Sequence, residues 1–456
     1  MGVRLRLCVP LIDHVWHIYH QVINFEKAAA ILGDAAVKEA MAKADISSNA
    51  MMHWMCDNAD WNESTLHGKG GWHVMAIMMA ITPFLEFKKK VPTAKVTDEE
   101  IMAVPGPQKL PSPVAAAYAD ETFPTATEAA TAREVEAEWG GQDGTQRTVD
   151  LSYKVTTTTA DRIVAPLFAK FHVTVQEGEH PGQTRFFFHP FVEAKPDSDE
   201  AVYSTLVCIL ECCEAAGVVP HITFDQPLYE RAFKIRNRMA ALPGGERWKN
   251  LILHLGLFHT IMSYMGSIGH RMEGSGIQEA LEQAYGSGAA EHLLAGKAHS
   301  RAVRAHQIVH KALYEDLVLR LVDNEILGLE EDELAALKTD LATLNDAYDT
   351  MLATSETTVA GEKACQDAAE RVDAKLQDLR AKLAGGEECK DGGPPSEKHR
   401  TAKLWLGYLD QVDLLLTTIK AERTSNFKLT LTSGLCSRTL RTLADTGTYT
   451  GPSPLY

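Results

Sequence analysis

The chain has 456 residues, 45 % of them hydrophobic and 23 % charged, and a formal net charge of −16 at pH 7. That length accommodates two or three domains with ordinary cores, and the composition is that of a globular chain. So negative a charge excludes a protein that coats nucleic acid non-specifically over its whole surface, while leaving room for a local basic groove.

Eight cysteines stand at positions 8, 56, 208, 212, 213, 365, 389 and 436. None makes a Cys-x-x-Cys pair, which removes the zinc-ribbon and thioredoxin readings. Cys208, Cys212 and Cys213 fall in the apolar helical pattern YSTLVCILECCEAAG, where buried thiols are expected. A reducing, intracellular setting fits this usage. In MGVRLRLCVPLIDHVW the apolar run ends at Asp13, too short for a signal h-region, and Arg6 takes the place where a myristoylation motif wants Ser or Thr. No apolar run approaches the roughly 18 residues of a membrane span, so no membrane partner is expected.

In chain order, residues 14–50 read as helical, with FEKAAAILGDAAVKEAMAKA rich in Ala, Glu and Lys. In MMHWMCDNADWNESTLHGKGGWHVMAIMMAITP (51–83) two apolar, aromatic-bearing runs flank HGKGG, which predicts a β-hairpin. Residues 91–147, with prolines at 92, 105, 107, 111, 113 and 124, read as a linker or long loop. TRFFFHPFVEA (184–194) predicts a strand, and DSDEAVYSTLVCILECCEAAG (197–217) a helix with an acidic start and a Gly stop. VVPHITF (218–224) predicts another strand, with Pro227 placed as a first helical residue. A strand–helix–strand–helix series implies a partly parallel sheet with helices against it.

Residues 248–383 read as almost wholly helical. Leu334, Leu337, Leu341, Leu344, Tyr348 and Met351 alternate steps of three and four, the spacing of a packing seam. Val372, Leu376, Leu379 and Leu383 form a second seam, and the two predict a helical hairpin packed in a core. GGEECKDGGPPSEKHR (385–400) reads as a flexible connector, and TAKLWLGYLDQVDLLLTTIKAERTSNF (401–427) as a final helix.

Several polar groups in these elements can carry chemistry. CDNADWNE (56–63) is rich in acids and amides, yet Ala59 and Trp61 occupy the third and fifth places of a calcium loop starting at Asp57, so that reading fails. Asp57 and Asn58 read equally as turn formers. Asp225, after an apolar strand, has two readings. It is a helix cap, or, with Pro227 in the first turn making Gln226 the cap, it is a ligand-binding acid at a strand tip. His259 lies on an otherwise apolar helix, where a lone histidine is ordinarily a satisfied core residue. HLLAGKAHSRAVRAHQIVHKALY (292–314) contains no acid, and Lys297, Arg301, Arg304 and Lys311 fall on one helical face. That face reads either as a phosphate-contacting surface or as a solvated one. His306 and His310 have the i,i+4 spacing of metal ligands, but no Glu follows His306 as a zinc protease requires.

CDNADWNESTLHGKGGWHVMAI, VVPHITFDQPLYERA, LHLGLFHTIMSYMGSIGHRMEGSG, GKAHSRAVRAH and IKAERTSNF, in that order, resemble an uncharacterised family of transposon-associated proteins in animal genomes. That family is similar to RNase H-like transposases of the mutator type. Those enzymes carry an Asp on the first strand of a hairpin, an Asp at the tip of a central strand and a Cys-x-x-His some thirty residues on. A helical insertion follows, then a Glu on a late helix. The resemblance implies Asp57 (or Asp60) as the first acid, Asp225 as the second and Glu422 as the third, with Mg2+ or Mn2+ held among them. His259 becomes the histidine of the Cys-x-x-His element, and Gly256 stands in the place of its Cys.

The fold implied is α/β: an RNase H-like mixed sheet core with a large helical insertion and a long Pro/Ala/Thr-rich linker. Its divisions are a helical segment (1–50), a first hairpin (51–90), a linker (91–150), the core (151–260), the insertion (261–400), a C-terminal core helix (401–430) and an irregular tail (431–456). The hairpin is expected to pair with the strands at 184–194 and 218–224 in one sheet. The function implied is metal-dependent processing of nucleic acid, by hydrolysis or strand transfer, on DNA in the nucleus, with an oligomer allowed. The tail SGLCSRTLRTLADTGTYTGPSPLY loses helical periodicity. It reads as an altered reading frame or splice, in a truncated or decayed and inactive copy. The rival function is a non-catalytic interaction protein that keeps the fold and binds partners through its helices.

Overall fold

The computed structural model of the protein describes residues 51–62, 71–82, 144–156, 166–176, 184–189, 192, 194–385, 397–424 and 426. The helix expected over 14–50, the hairpin turn up to residue 70, the linker before residue 144 and the tail 431–456 lie outside the described residues. The chain divides into two compact units, Met1–Glu121 with Pro181–Gly256 and Thr122–His180 with Leu257–Tyr456.

The first unit is built on a five-stranded mixed sheet. Strands β1 (Met51–Asn62) and β2 (Gly71–Thr82) form the predicted hairpin, in register from Met51↔Thr82 to Asn62↔Gly71. Strand β3 (Arg185–Phe188) pairs antiparallel with β2, and β4 (His221–Phe224) pairs parallel with β1. The expected single sheet is therefore observed. Strand β5 (Ile252–Leu255) pairs parallel with β4, giving the order β3-β2-β1-β4-β5.

This last strand corrects the reading of 248–383 as helical throughout. A four-residue run such as ILHL is too short for its period to separate strand from helix. The open edge of β4 decides, and the Ile252 N–H to Pro220 and Gly256 N–H to Phe224 carbonyl bonds extend the ladder at both ends.

Alternation along the strands places Phe187, Met79, Trp54, Ile222 and Leu253 in one cross-strand row, all buried, with Trp54 fully so. Helix α1 (Gly144–Val155) and helix α2 (Phe168–Val175) belong to the other unit, whereas α3 (Asp199–Ala216) and α4 (Gln226–Ala240) pack against the sheet. α3 has the predicted acidic start, two residues later than expected: Ser198 Oγ accepts the Ala201 N–H at 3.1 Å, and Asp199 and Glu200 complement the N-terminal dipole. Gly217 ends it at φ 67°, a conformation that favours glycine. Of its thiols, Cys213 is buried and Cys208 and Cys212 are half-buried. A short helix, α5 (Glu246–Lys249), precedes β5.

The second unit is helical among its described residues. After α1 and α2 come α6 (Leu257–Arg271), α7 (Ile277–Tyr285), α8 (Ser287–Leu294), α9 (His299–Asp323), α10 (Glu331–Thr354), α11 (Thr358–Gly361), α12 (Lys363–Leu383) and α13 (Glu397–Arg423). The predicted hairpin is α10 with α12. Leu337, Leu341 and Leu344 share one core cluster with Val372, Leu376 and Leu379, and Asp340 takes two bonds from Arg371 at 2.9 and 2.8 Å. The sequence divisions change here. α1 starts inside the stretch read as linker (91–150), and both α1 and α2 pack on helices of this unit, so the boundaries of the 151–260 core do not coincide with those of the sheet unit.

Two glycines of the stretch SYMGSIGH and its neighbour AGK serve packing. A Cβ on Gly269 would stand 2.0 Å from the Leu294 carbonyl oxygen, and one on Gly296 would stand 2.1 Å from that of Met262. The centre of the unit holds a buried ion pair, Lys420 to both carboxylate oxygens of Asp150 at 2.7 Å. Burial alone would raise the Asp150 pKa, but the charges of His172 and Lys420 outweigh it and hold the group below its usual range. Among the described residues, no helix is long and apolar enough to cross a membrane.

Candidate active site

Strands β1 and β4 run parallel with Trp54 opposite Ile222, Met55 opposite Thr223 and Cys56 opposite Phe224. One residue beyond the last pair stand Asp57 and Asp225. Cys56 and Phe224 point into the buried face, so strand alternation sends both acids to the other one. Asp57 is exposed and Asp225 half-buried. Asp57 pairs with Ala76 on one side, and Gly256 follows the Phe224↔Leu255 pair on the other, so small residues flank the acids.

The register separates the two candidates for the first acid. Asp60 lies opposite His73, three residues beyond Asp57, and the pairing with β4 reaches only Cys56. Asp57 is thus the acid level with Asp225. It is not a turn former, because Asp57 and Asn58 are strand residues opposite Ala76 and Met75; the Asp57 carboxylate accepts the Asn58 N–H at 2.8 Å.

Asp225 caps α4. Its Oδ1 accepts the Leu228 N–H at 3.1 Å, and its carbonyl accepts the Tyr229 N–H at 2.8 Å. The expectation that Pro227 shifts the cap to Gln226 is corrected: Asp225 keeps extended torsions (φ −65°, ψ 170°) that continue the strand, and Gln226 is the first helical residue. Capping through one oxygen does not remove a carboxylate from metal chemistry, since its two oxygens offer about four lone-pair sites.

Beneath the acids on the same sheet face lies a layer of histidines, of which sequence reasoning noted His254 but neither His53 nor His221. His221 Nδ1 is 3.1 Å from His254 Nε2, with the rings stacked at 5.4 Å, and His53 bonds Thr223 Oγ1. Burial, and then the proximity of His221, pushes His53 down to about 4; burial, then His53 and His221, does the same to His254. Burial also lowers His221. A signal was present: HWMCD and HITFD each place a histidine four residues before the acid, a whole number of strand periods.

Gly256 sits where a side chain is crowded. A Cβ at Gly256 would lie 3.0 Å from the Phe224 carbonyl oxygen, which the Gly256 N–H already holds at 2.7 Å. His259 is exposed in the first turn of α6, not a satisfied core residue, with its ring edge-on to Phe258 at 5.3 Å. Phe258 also lies 4.7 Å from His299, whose pKa burial holds below its ordinary value against the opposing charge of Glu422. Glu422 is exposed in the last turn of α13. Asp57 and Asp225 belong to the sheet unit.

The basic face is smaller than the sequence implied. Arg301 and Arg304 are exposed on α9, and Lys297 is exposed just before it. Lys311 is not part of that surface: its Nζ donates to the carbonyls of Tyr153 and Lys154 at 3.1 Å and to that of Thr156, capping the C-terminus of α1. His306 and His310 turn to separate partners, Tyr408 and Asp413, each at 3.0 Å, so they do not converge on a metal.

Residues 168–435, more than half of the chain, match the family described as a domain of unknown function (DUF8702), and the chain belongs to it. No curated protein and no solved structure matches the chain.

Proposed function

We propose that this member of the DUF8702 family is a transposase-derived, metal-dependent nucleic-acid-processing protein with an RNase H-like core. The observation that carries the reading is the Cys56↔Phe224 pairing, which brings Asp57 and Asp225 to the same level of adjacent strands. Two acids remote in sequence then share one exposed sheet end, as the resemblance requires of the first two catalytic acids.

The residues fit a hard divalent cation. Two carboxylates supply oxygen donors, small neighbours leave room, and the half-buried His53 and His254 of the same face are neutral at pH 7 and add no repelling charge. Mg2+ or Mn2+, if bound there, would supply Lewis-acid chemistry for phosphodiester cleavage or strand transfer. Asp57 and Asp225 would hold it, with the Asp225 carboxylate oriented by its bond to the Leu228 N–H. Glu422 is the third acid by resemblance alone. The exposed Arg301, Arg304 and Lys297 supply cations for DNA phosphates.

The test is cleavage or strand transfer on DNA with Mg2+ or Mn2+, comparing wild type with Asp57→Asn, Asp225→Asn and Glu422→Gln. Loss of turnover by orders of magnitude in the two Asp variants, with unfolding midpoints unchanged, supports the reading. Wild-type turnover in Asp225→Asn removes that residue from the mechanism and leaves it a cap.

A further inference from the structure

Cys208 and Cys212 stand one helical turn apart on α3, so their thiols rise from one strip of the helix. The strand β3 ends at Phe188, and His189 follows, with its backbone N–H on the Ile77 carbonyl at 2.9 Å and its ring 4.7 Å from that of Trp54. That anchoring holds the imidazole, only 2 % exposed, beneath the two half-buried thiols. One ligand atom from each of His189, Cys208 and Cys212 lies within 4.8 Å of the other two.

We propose that His189, Cys208 and Cys212 form a binding site for a thiophilic cation, Zn2+, that ties the end of β3 to α3. Bond lengths of about 2.3 Å to sulfur and 2.0 Å to nitrogen place tetrahedral ligand atoms roughly 3.5 to 3.8 Å apart. The observed spacing therefore closes with side-chain adjustments of about 1 Å or less. Two thiolates and an imidazole are a soft donor set, suited to Zn2+ and not to the Mg2+ or Mn2+ that oxygen ligands select. Binding releases one proton from each thiol, and the histidine enters neutral. Three protein ligands leave the fourth position to water or another small donor, reached past the half-buried cysteines. The site lies on the helix-covered face of the sheet, opposite Asp57 and Asp225, and is independent of the function proposed for them.

The experiment uses the full chain, stripped with a chelator under reducing conditions and titrated with Zn2+ against a chromophoric competitor, and in parallel with Co2+ as a spectroscopic probe. One equivalent of Zn2+ and a thiolate-to-Co2+ charge-transfer band are expected, both unaffected by excess Mg2+ and retained in Asp57→Asn, Asp225→Asn and Cys365→Ser. Cys208→Ser and Cys212→Ser should each lose the band and bind Zn2+ at least tenfold more weakly. Absence of the band in wild type, or its persistence unchanged in both cysteine variants, overturns the proposal. Because Ser replaces a half-buried Cys with little change in volume, far-ultraviolet dichroism of the metal-free variants confirms that they fold.

Discussion

Asp57 and Asp225 occupy the same level on neighbouring parallel strands, each one residue past the paired Cys56 and Phe224. Asp225 is at the same time the cap of α4, so a single carboxylate orders a helix and faces the sheet end where its partner acid stands. Structure and chemistry at this residue can be separated by substitution.

Asp225→Ala removes the acceptor of the Leu228 N–H and should lower unfolding free energy by about 1 kcal/mol, whereas Asp225→Asn, also a good cap, should leave it within a few tenths. Urea unfolding of the two variants checks this. Equal stability of Asp225→Ala and wild type would mean that the cap contributes nothing.

Acid should weaken the fold well before the carboxylates titrate. Burial holds His53, His254, His172 and His306 near 4, below the unfolded value of 6.5. The unfolded chain therefore binds more protons between those values. Stability from these neutral imidazoles is full above pH 6.5 and is lost as pH falls toward 4, with a slope of up to about 1.4 kcal/mol per pH unit for each group. Unfolding midpoints measured from pH 7 to 4.5 should fall steadily, and His306→Phe, which removes one such proton site, should flatten the slope.

Salt titrations separate the basic residues. If Arg301 and Arg304 contact phosphates, replacing either by Met should lower the slope of log affinity for DNA against log salt by about 1. Lys311→Met should leave that slope unchanged and instead cost about 1–3 kcal/mol of stability, because carbonyls at the end of α1 lose their donor. A change of slope in Lys311→Met would return it to the binding face.

A side chain at Gly256 should harm the protein. Gly256→Cys sets a Cβ 3.0 Å from the Phe224 carbonyl, and the strand end must shift to accept it, at a cost of about 1–3 kcal/mol. A thermal midpoint equal to wild type would show that the edge yields freely.

What the amino-acid order determined by itself was local. The hairpin over 51–82, the acidic start and Gly217 stop of α3, and the Leu337-to-Met351 seam all rest on periods or end signals a few residues long, and each is close to where the pattern placed it. The placement of an acid at the end of HITF was equally legible. Tertiary pairing decided the rest. ILHL became a strand because β4 offered an edge, and Asp57, not Asp60, is level with Asp225 through a parallel register that no local signal encodes. Lys311 left the basic face because the end of α1, distant in sequence, presented carbonyls to it. His189 met Cys208 and Cys212 only because a strand end packs beneath a helix. Such choices depend on which remote backbone and side-chain groups arrive together, and the free energy that selects them exists only once the core has formed.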